Sequence, residues 1–198
     1  MPPTDRRSRI LESAATLFAE KGINASTVRD IADGVGILSG SLYHHFDSKD
    51  AMVEAIVVEY LEALTKRYTA AVLPHSDPRA QLHELVLASL QVVQEHEHAS
   101  EIYQANRKYF EGSDRFNSVR DLAAAVQVAW AEVIDTGVRS GVFRADVNPR
   151  VFHRFLRDAV FLASRWYHPS EVYSIEDLAE DTARIFLDGF TVAGSRLS

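Results

Sequence analysis

The placement of proline constrains this chain more than any other feature. Prolines stand at Pro2, Pro3, Pro74, Pro78, Pro149 and Pro169, so Thr4 to Leu73 and Arg79 to Asn148 hold none. Within those stretches apolar residues recur at three- and four-residue intervals, the period of an amphipathic helix, without strand-like alternation. The pattern predicts an all-α chain of nine helices.

The first helix is expected from about Asp5 to Lys21, with Ile10, Ala14, Leu17 and Phe18 on one face and Gly22 closing it. Ser26 and Thr27 lead into a short helix reaching about Gly34, with Asp30 three residues after Thr27 as in a capping box. A second short helix spans about Leu38 to His44, and Ser48 opens a long one ending before Pro74. Further helices are expected at about 78–97, 99–110, 119–141, 148–166 and 175–192, the eighth with Pro149 at its first position.

Composition narrows the function. Of 198 residues 46% are hydrophobic and 25% charged, as in an ordinary globular protein, and no apolar run approaches the ~20 residues that cross a bilayer. The absence of cysteine excludes disulfides, thiol nucleophiles and thiolate metal sites. Nothing near Met1 reads as a secretory signal, so a cytoplasmic location is expected. The net charge of −7 runs against a nucleic-acid binder. However, residues 1–50 carry six Lys and Arg against seven Asp and Glu, so the acidity lies mainly beyond them. Arg6, Arg7, Arg9, Arg29 and Lys49 would supply phosphate attraction if they cluster.

Thr27 to Asp50 carries the strongest signal. Two short helices joined by the glycine-containing turn Val35-Gly36-Ile37 cannot bury their own apolar face, so Val28, Ile31, Ala32, Leu42 and Phe46 must pack on the Leu17-Phe18 face. The second helix then shows Ser39, Gly40, Ser41, Tyr43 and His44, small or polar groups suited to close approach in a groove ~12 Å wide. Thr27, Ser48 and helix-start amides offer neutral phosphate donors, and Lys49 a charged one.

Thr-Val-Arg-Asp-Ile-Ala at 27–32, Gly36, and Gly-Ser-Leu-Tyr-His-His-Phe-Asp-Ser-Lys at 40–49 resemble the reader of the TetR family of bacterial transcriptional regulators. The resemblance implies a three-helix helix-turn-helix domain over 1–50 and a ligand-binding and dimerisation domain over 51–198. It implies a homodimer that grips a palindromic operator, with Thr27, Arg29 and Lys49 on phosphates and Ser39, Gly40, Ser41, Tyr43 and His44 on or beside the DNA-facing side. Leu38 stands where the family usually has a capping Ser or Thr, which unsettles where the recognition helix begins.

Beyond residue 51 the reading rests on chemistry. Tyr60, Leu64 and Tyr68 recur every four residues, and Tyr103, Arg107 and Phe110 follow on a later helix; all could line a pocket or belong to the core. Arg157, Phe161 and Arg165 are also four apart and would share one face of a continuous helix. Two guanidinium groups beside an aromatic ring suit an anionic ligand with an apolar body, or salt bridges to nearby carboxylates. This stretch and Gly-Ile-Leu-Ser-Gly-Ser resemble one branch of the family, actinobacterial repressors of cholesterol-ring catabolism that respond to a steroid-derived coenzyme A thioester, which have tryptophan where Phe161 stands. The resemblance implies an acyl-CoA-like small-molecule effector. It also implies that the last two helices pair with their mates, and Ala159, Leu162, Ala163, Trp166, Leu178, Ala183, Phe186 and Phe190 are the candidate interface.

Two other classes stay open on the residues alone. An enzyme could use Glu95-His96-Glu97-His98, yet a helix would turn His96 and His98 ~200° apart, and no nucleophile with a base is visible. A ligand carrier or an activator of transcription would share the fold. No cofactor or metal is expected.

Overall fold

The computed structural model describes residues 6–188; Phe190 lies outside them. Among the described residues there are nine α-helices and no strand. The chain forms two compact units. One comprises residues up to Ala63 together with His96–Ala123, and the other Leu64–Glu95 together with the residues from Ala124.

The first unit contains α1 (Arg6–Lys21), α2 (Val28–Val35), α3 (Ser39–Leu42), the first part of α4 (Lys49–Val72), α6 (Glu97–Ala105) and the start of α7 (Asn117–Arg139). Ile10, Ala14 and Phe18 of α1 are buried against α2, whose Ile31 and Ala32 are equally inaccessible. Gly22 and Gly36 take positive φ at the ends of α1 and α2. At Gly36 the amide donates back to Ala32 and Asp33 and the Ile37 amide to Ala32, a paired closure that satisfies the last carbonyls and makes the sharp turn. A Cβ on Gly36 meets nothing, so Gly36→Ala suffers only the left-handed backbone strain, roughly 1–2 kcal/mol. Chemical denaturation should register that loss; unchanged stability would contradict this account of the turn.

The second unit holds α5 (Pro78–Glu95), α8 (Pro149–Phe161), α9 (Ile175–Asp188) and the remainders of α4 and α7. α5 packs mainly on α9 and also on α8. Asn148 caps α8 through its side chain, with Pro149 in the first turn as expected. α6 and α8 are shorter than the helical period suggested. After Asn106 and after Leu162 the chain tightens into 3-10 turns, Arg107–Phe110 and Ala163–Arg165, which seat Phe110 and Ala163 in buried positions.

Candidate nucleic-acid interface and sensing half

The α2–turn–α3 segment is sealed on one side and open on the other. Leu42 is inaccessible and Phe46 nearly so, while Leu38 is 80% and Tyr43 53% exposed. Gly40 and His44 are exposed, and Ser39 and Ser41 half-buried. α3 begins at Ser39, with Leu38 in an extended cap position that offers no side-chain hydrogen bond. The apolar Leu38 therefore leaves the first turn of α3 without a side-chain acceptor, and the Ser41 amide closes on the Leu38 carbonyl at 2.9 Å.

Thr27 caps α2 reciprocally. Its hydroxyl donates to Asp30 (2.7 Å) and accepts from the Asp30 amide (3.1 Å), and the Asp30 carboxylate also receives the Thr27 amide (3.0 Å). These bonds hold the Asp30 carboxyl below its usual range. Lys49 has an internal duty as well: its ammonium donates to the carbonyls of Ile23 (2.6 Å) and Ser26 (3.0 Å), stitching the α1–α2 loop to the start of α4. Arg29 lies exposed beside Asp33 at 3.9 Å, a pair too solvated to hold it firmly.

Arg6, Arg7 and Arg9 are exposed in the first turn of α1, where the helix dipole disfavours cations. The Arg7 guanidinium lies 4.8 Å above the ring of Phe46, which fixes one of these cations beside the end of the reader.

The aromatic residues singled out for a pocket divide into two clusters. In the first unit Tyr60 is buried, receives a hydrogen bond from Ser100 (3.3 Å) and lies 6.3 Å from Tyr103; Tyr103 in turn meets Phe110 at 5.8 Å and lies under Arg107 at 5.3 Å. Nearby, the Tyr109 hydroxyl donates to Asp50 (2.7 Å) and Ser118 to Glu54 (2.8 Å), and Arg115 approaches Glu54 at 3.5 Å, so the segment after α6 grips the first turns of α4. Burial and the Asp50 carboxylate push the Tyr109 hydroxyl upward.

In the second unit Leu64 and Tyr68 are buried with Trp130. The Trp130 indole donates to the Tyr68 oxygen (3.0 Å), and Ser89 uses its only proton on the Leu85 carbonyl (2.6 Å), so Tyr68 must donate to Ser89 (2.5 Å). Every polar group of this buried relay is satisfied, and burial raises the Tyr68 hydroxyl to about 12. His153 stacks on Trp130 at 5.7 Å; burial first, then the Arg157 cation, lowers its proton affinity. No local sequence pattern brings Ser89, Trp130 and His153 together, because they come from three different helices.

Arg157, Phe161 and Arg165 do not share one continuous helix face, since α8 ends at Phe161 and Arg165 sits in the 3-10 turn. Phe161 is buried, Arg157 half-buried and Arg165 exposed. Arg157 donates through two nitrogens to one Asp158 oxygen (3.0 and 2.7 Å). Of the candidate interface residues, Ala163, Leu178 and Ala183 are buried within the chain itself, and Phe186 packs edge-on against Phe152. Ala159 is exposed, Leu162 half-buried and Trp166 64% exposed. Val151 and Phe155, which the sequence did not single out, share one exposed face of α8 with Ala159, Phe155 at 65%, whereas Leu162 and Trp166 lie beyond the end of that helix. Their amphipathic period was legible; which face stays uncovered was not.

Among the described residues no group of three or more His, Asp or Glu could hold a metal ion, and no helix is long and apolar enough to cross a membrane.

Residues 10–56 match the family described as bacterial regulatory proteins, tetR family, and residues 75–190 the tetracyclin repressor-like C-terminal domain. The chain is 42% identical over 195 residues to the HTH-type transcriptional repressor KstR2 of Rhodococcus jostii, covering 95% of this chain and 96% of that protein. It is 38% identical over 189 residues to KstR2 of Mycobacterium tuberculosis, covering 96% and 94%. Among solved structures, the ketosteroid transcriptional regulator KstR2 of Mycobacterium tuberculosis superposes with a TM-score of 0.86 at 37% identity over 96% of both chains.

Proposed function

Because this chain belongs to the TetR family, as a helix-turn-helix transcriptional repressor and not an enzyme, we propose that it grips a palindromic operator as a cytoplasmic homodimer and lets go when an anionic, largely apolar effector binds. The observation that carries this reading is the outer side of α3. Gly40, Tyr43 and His44 are exposed there with Ser39 and Ser41 half-buried beside them, whereas Leu42 and Phe46 are sealed beneath. Residues 1–50 read the DNA and 51–198 sense and dimerise. Thr27, Arg29 and the remaining proton of Lys49 hold phosphates, and Arg6, Arg7 and Arg9 add the charge that the reader otherwise lacks. The exposed face of Val151, Phe155 and Ala159, with Leu162 and Trp166 beyond its end, supports pairing about a two-fold axis, which would set two α3 helices one DNA turn, ~34–36 Å, apart.

For the effector we favour an acyl-CoA, and within that class a steroid-derived thioester, in keeping with the ketosteroid regulator it resembles. Arg157 serves as a phosphate or carboxylate receptor, since its present partner Asp158 is 47% exposed and readily exchanged. Leu64, Tyr68, Phe161 and Arg165 of the second unit line or support that site, and Tyr60, Tyr103, Arg107 and Phe110 form a candidate cluster of their own within the first unit. α4 is the lever, because Tyr109 and Arg115 hold its first turns, and ligand and DNA then oppose each other by roughly 1–3 kcal/mol.

Retarded migration of promoter DNA from the gene's own neighbourhood tests the first part, and no shift at any promoter there would refute it. Steroid-derived and straight-chain CoA thioesters should release that DNA, with Arg157→Met needing about tenfold more ligand. Equal sensitivity in the variant would remove Arg157 from the site.

A further inference from the structure

The second unit contains a cavity of about 360 Å³ lined by none of the residues assigned to DNA or effector binding; of the candidate interface residues only Phe186 reaches it. Its walls are apolar, with Ile134 and Val138 of α7, Phe152 of α8, and Phe186 and Leu187 of α9. The loop after α7 closes one side in a fixed way. Gly141 takes φ +74°, the amides of Val142 and Phe143 both donate to the Gly137 carbonyl at 2.9 Å, and the Phe143 ring lies where a Cβ of residue 137 would be. A side chain at Gly137 would evict that ring, so the glycine builds the wall and the cavity is preformed.

Two cations line the same cavity. Arg79 is paired with Asp188 at 2.5 Å, with side chains 44% and 57% exposed, and Arg144 with Asp146 at 2.7 Å, at 75% and 66%. Such solvated pairs contribute little and exchange readily. An apolar chamber with replaceable arginine partners therefore offers burial for a hydrocarbon body and a charged receptor for its head. At about 30 Å³ for each water-sized unit, the space holds roughly a dozen heavy atoms.

We propose that this cavity binds a small amphipathic carboxylate, its apolar body against Ile134, Val138, Phe143 and Phe152 and its carboxylate taking the place of Asp188 on Arg79. The site is separate from the one assigned to Arg157 and does not depend on that assignment. A ligand held there ties α5, α7, α8 and α9 together and stabilises the folded chain by mass action.

The test is calorimetric titration of the full-length protein with decanoate and with decanol. Decanoate should bind once per chain, and decanol about tenfold more weakly, the difference expected for one charge-assisted pair. Arg79→Gln should erase the preference for the acid. Val138→Phe should abolish binding of both while DNA retardation persists, and Arg157→Met should leave decanoate binding unchanged. No decanoate binding, equal binding of the alcohol, indifference to Arg79→Gln, or loss in Arg157→Met would each overturn the proposal. Should Val138→Phe fail to fold, a crystal grown with decanoate decides. Ligand density between α7 and α9 supports the site, whereas the chain's own residues 189–198 or a second copy in that space refutes it.

Discussion

Gly40→Glu is expected to abolish operator binding without disturbing the fold. Gly40 lies in α3 with ordinary negative φ, and a Cβ placed on it meets nothing within 4 Å. Replacing glycine inside a helix gains roughly 0.5–1 kcal/mol, so thermal stability should hold or rise slightly. On DNA the outcome reverses. With α3 in the groove as proposed, a carboxylate there would face phosphates and base edges, and like-charge juxtaposition costs several kcal/mol, so affinity should fall by about 100-fold or more. Gel retardation and a thermal melt on the same preparation measure both. Retained affinity with a normal melt would mean that α3 does not face DNA.

Trp130→Ala should produce the largest loss of stability. Trp130 is inaccessible, lies edge-on to Tyr68 at 6.1 Å and carries the stacked His153. Truncating a buried aromatic of this size costs roughly 3–5 kcal/mol, a large share of the ~5–15 kcal/mol that holds a typical domain together. The melting temperature should drop by about 10 °C or more. Tyr68→Phe is the milder companion. It removes the acceptor for the Trp130 indole and the donor to Ser89, and one orphaned buried group costs ~1–3 kcal/mol. A Trp130→Ala protein within 1 kcal/mol of wild type in denaturant titration would show that the relay is peripheral to stability.

The reader was largely legible because its signals are local. Thr27 and Asp30 are three residues apart and cap each other, Gly36 must take the left-handed region, and Ile31, Leu42 and Phe46 had to find an apolar partner helix. Even here the sequence placed α3 a residue early and too long: with no capping side chain at Leu38 the helix starts at Ser39, and it gives way to a turn after Leu42. Lys49 could not be foreseen as a staple on Ile23 and Ser26, since its partners lie over twenty residues away.

In the larger half, periodicity marked each helix but not its surroundings. Tyr60, Leu64 and Tyr68 share one stripe of α4, yet Tyr60 joins the Tyr103 cluster whereas Tyr68 joins Trp130 and Ser89. The Arg157–Phe161–Arg165 spacing was real, but the tightening at Leu162 moved Arg165 off that helix. Local chemistry thus determined the nine helices, the caps and the family, because hydrogen bonds within a turn and the 3.6-residue period depend only on near neighbours. The tertiary structure alone decided which apolar stripe is core and which stays exposed, where the buried relay closes and where a cavity remains, because each depends on side chains brought together from helices far apart in the chain.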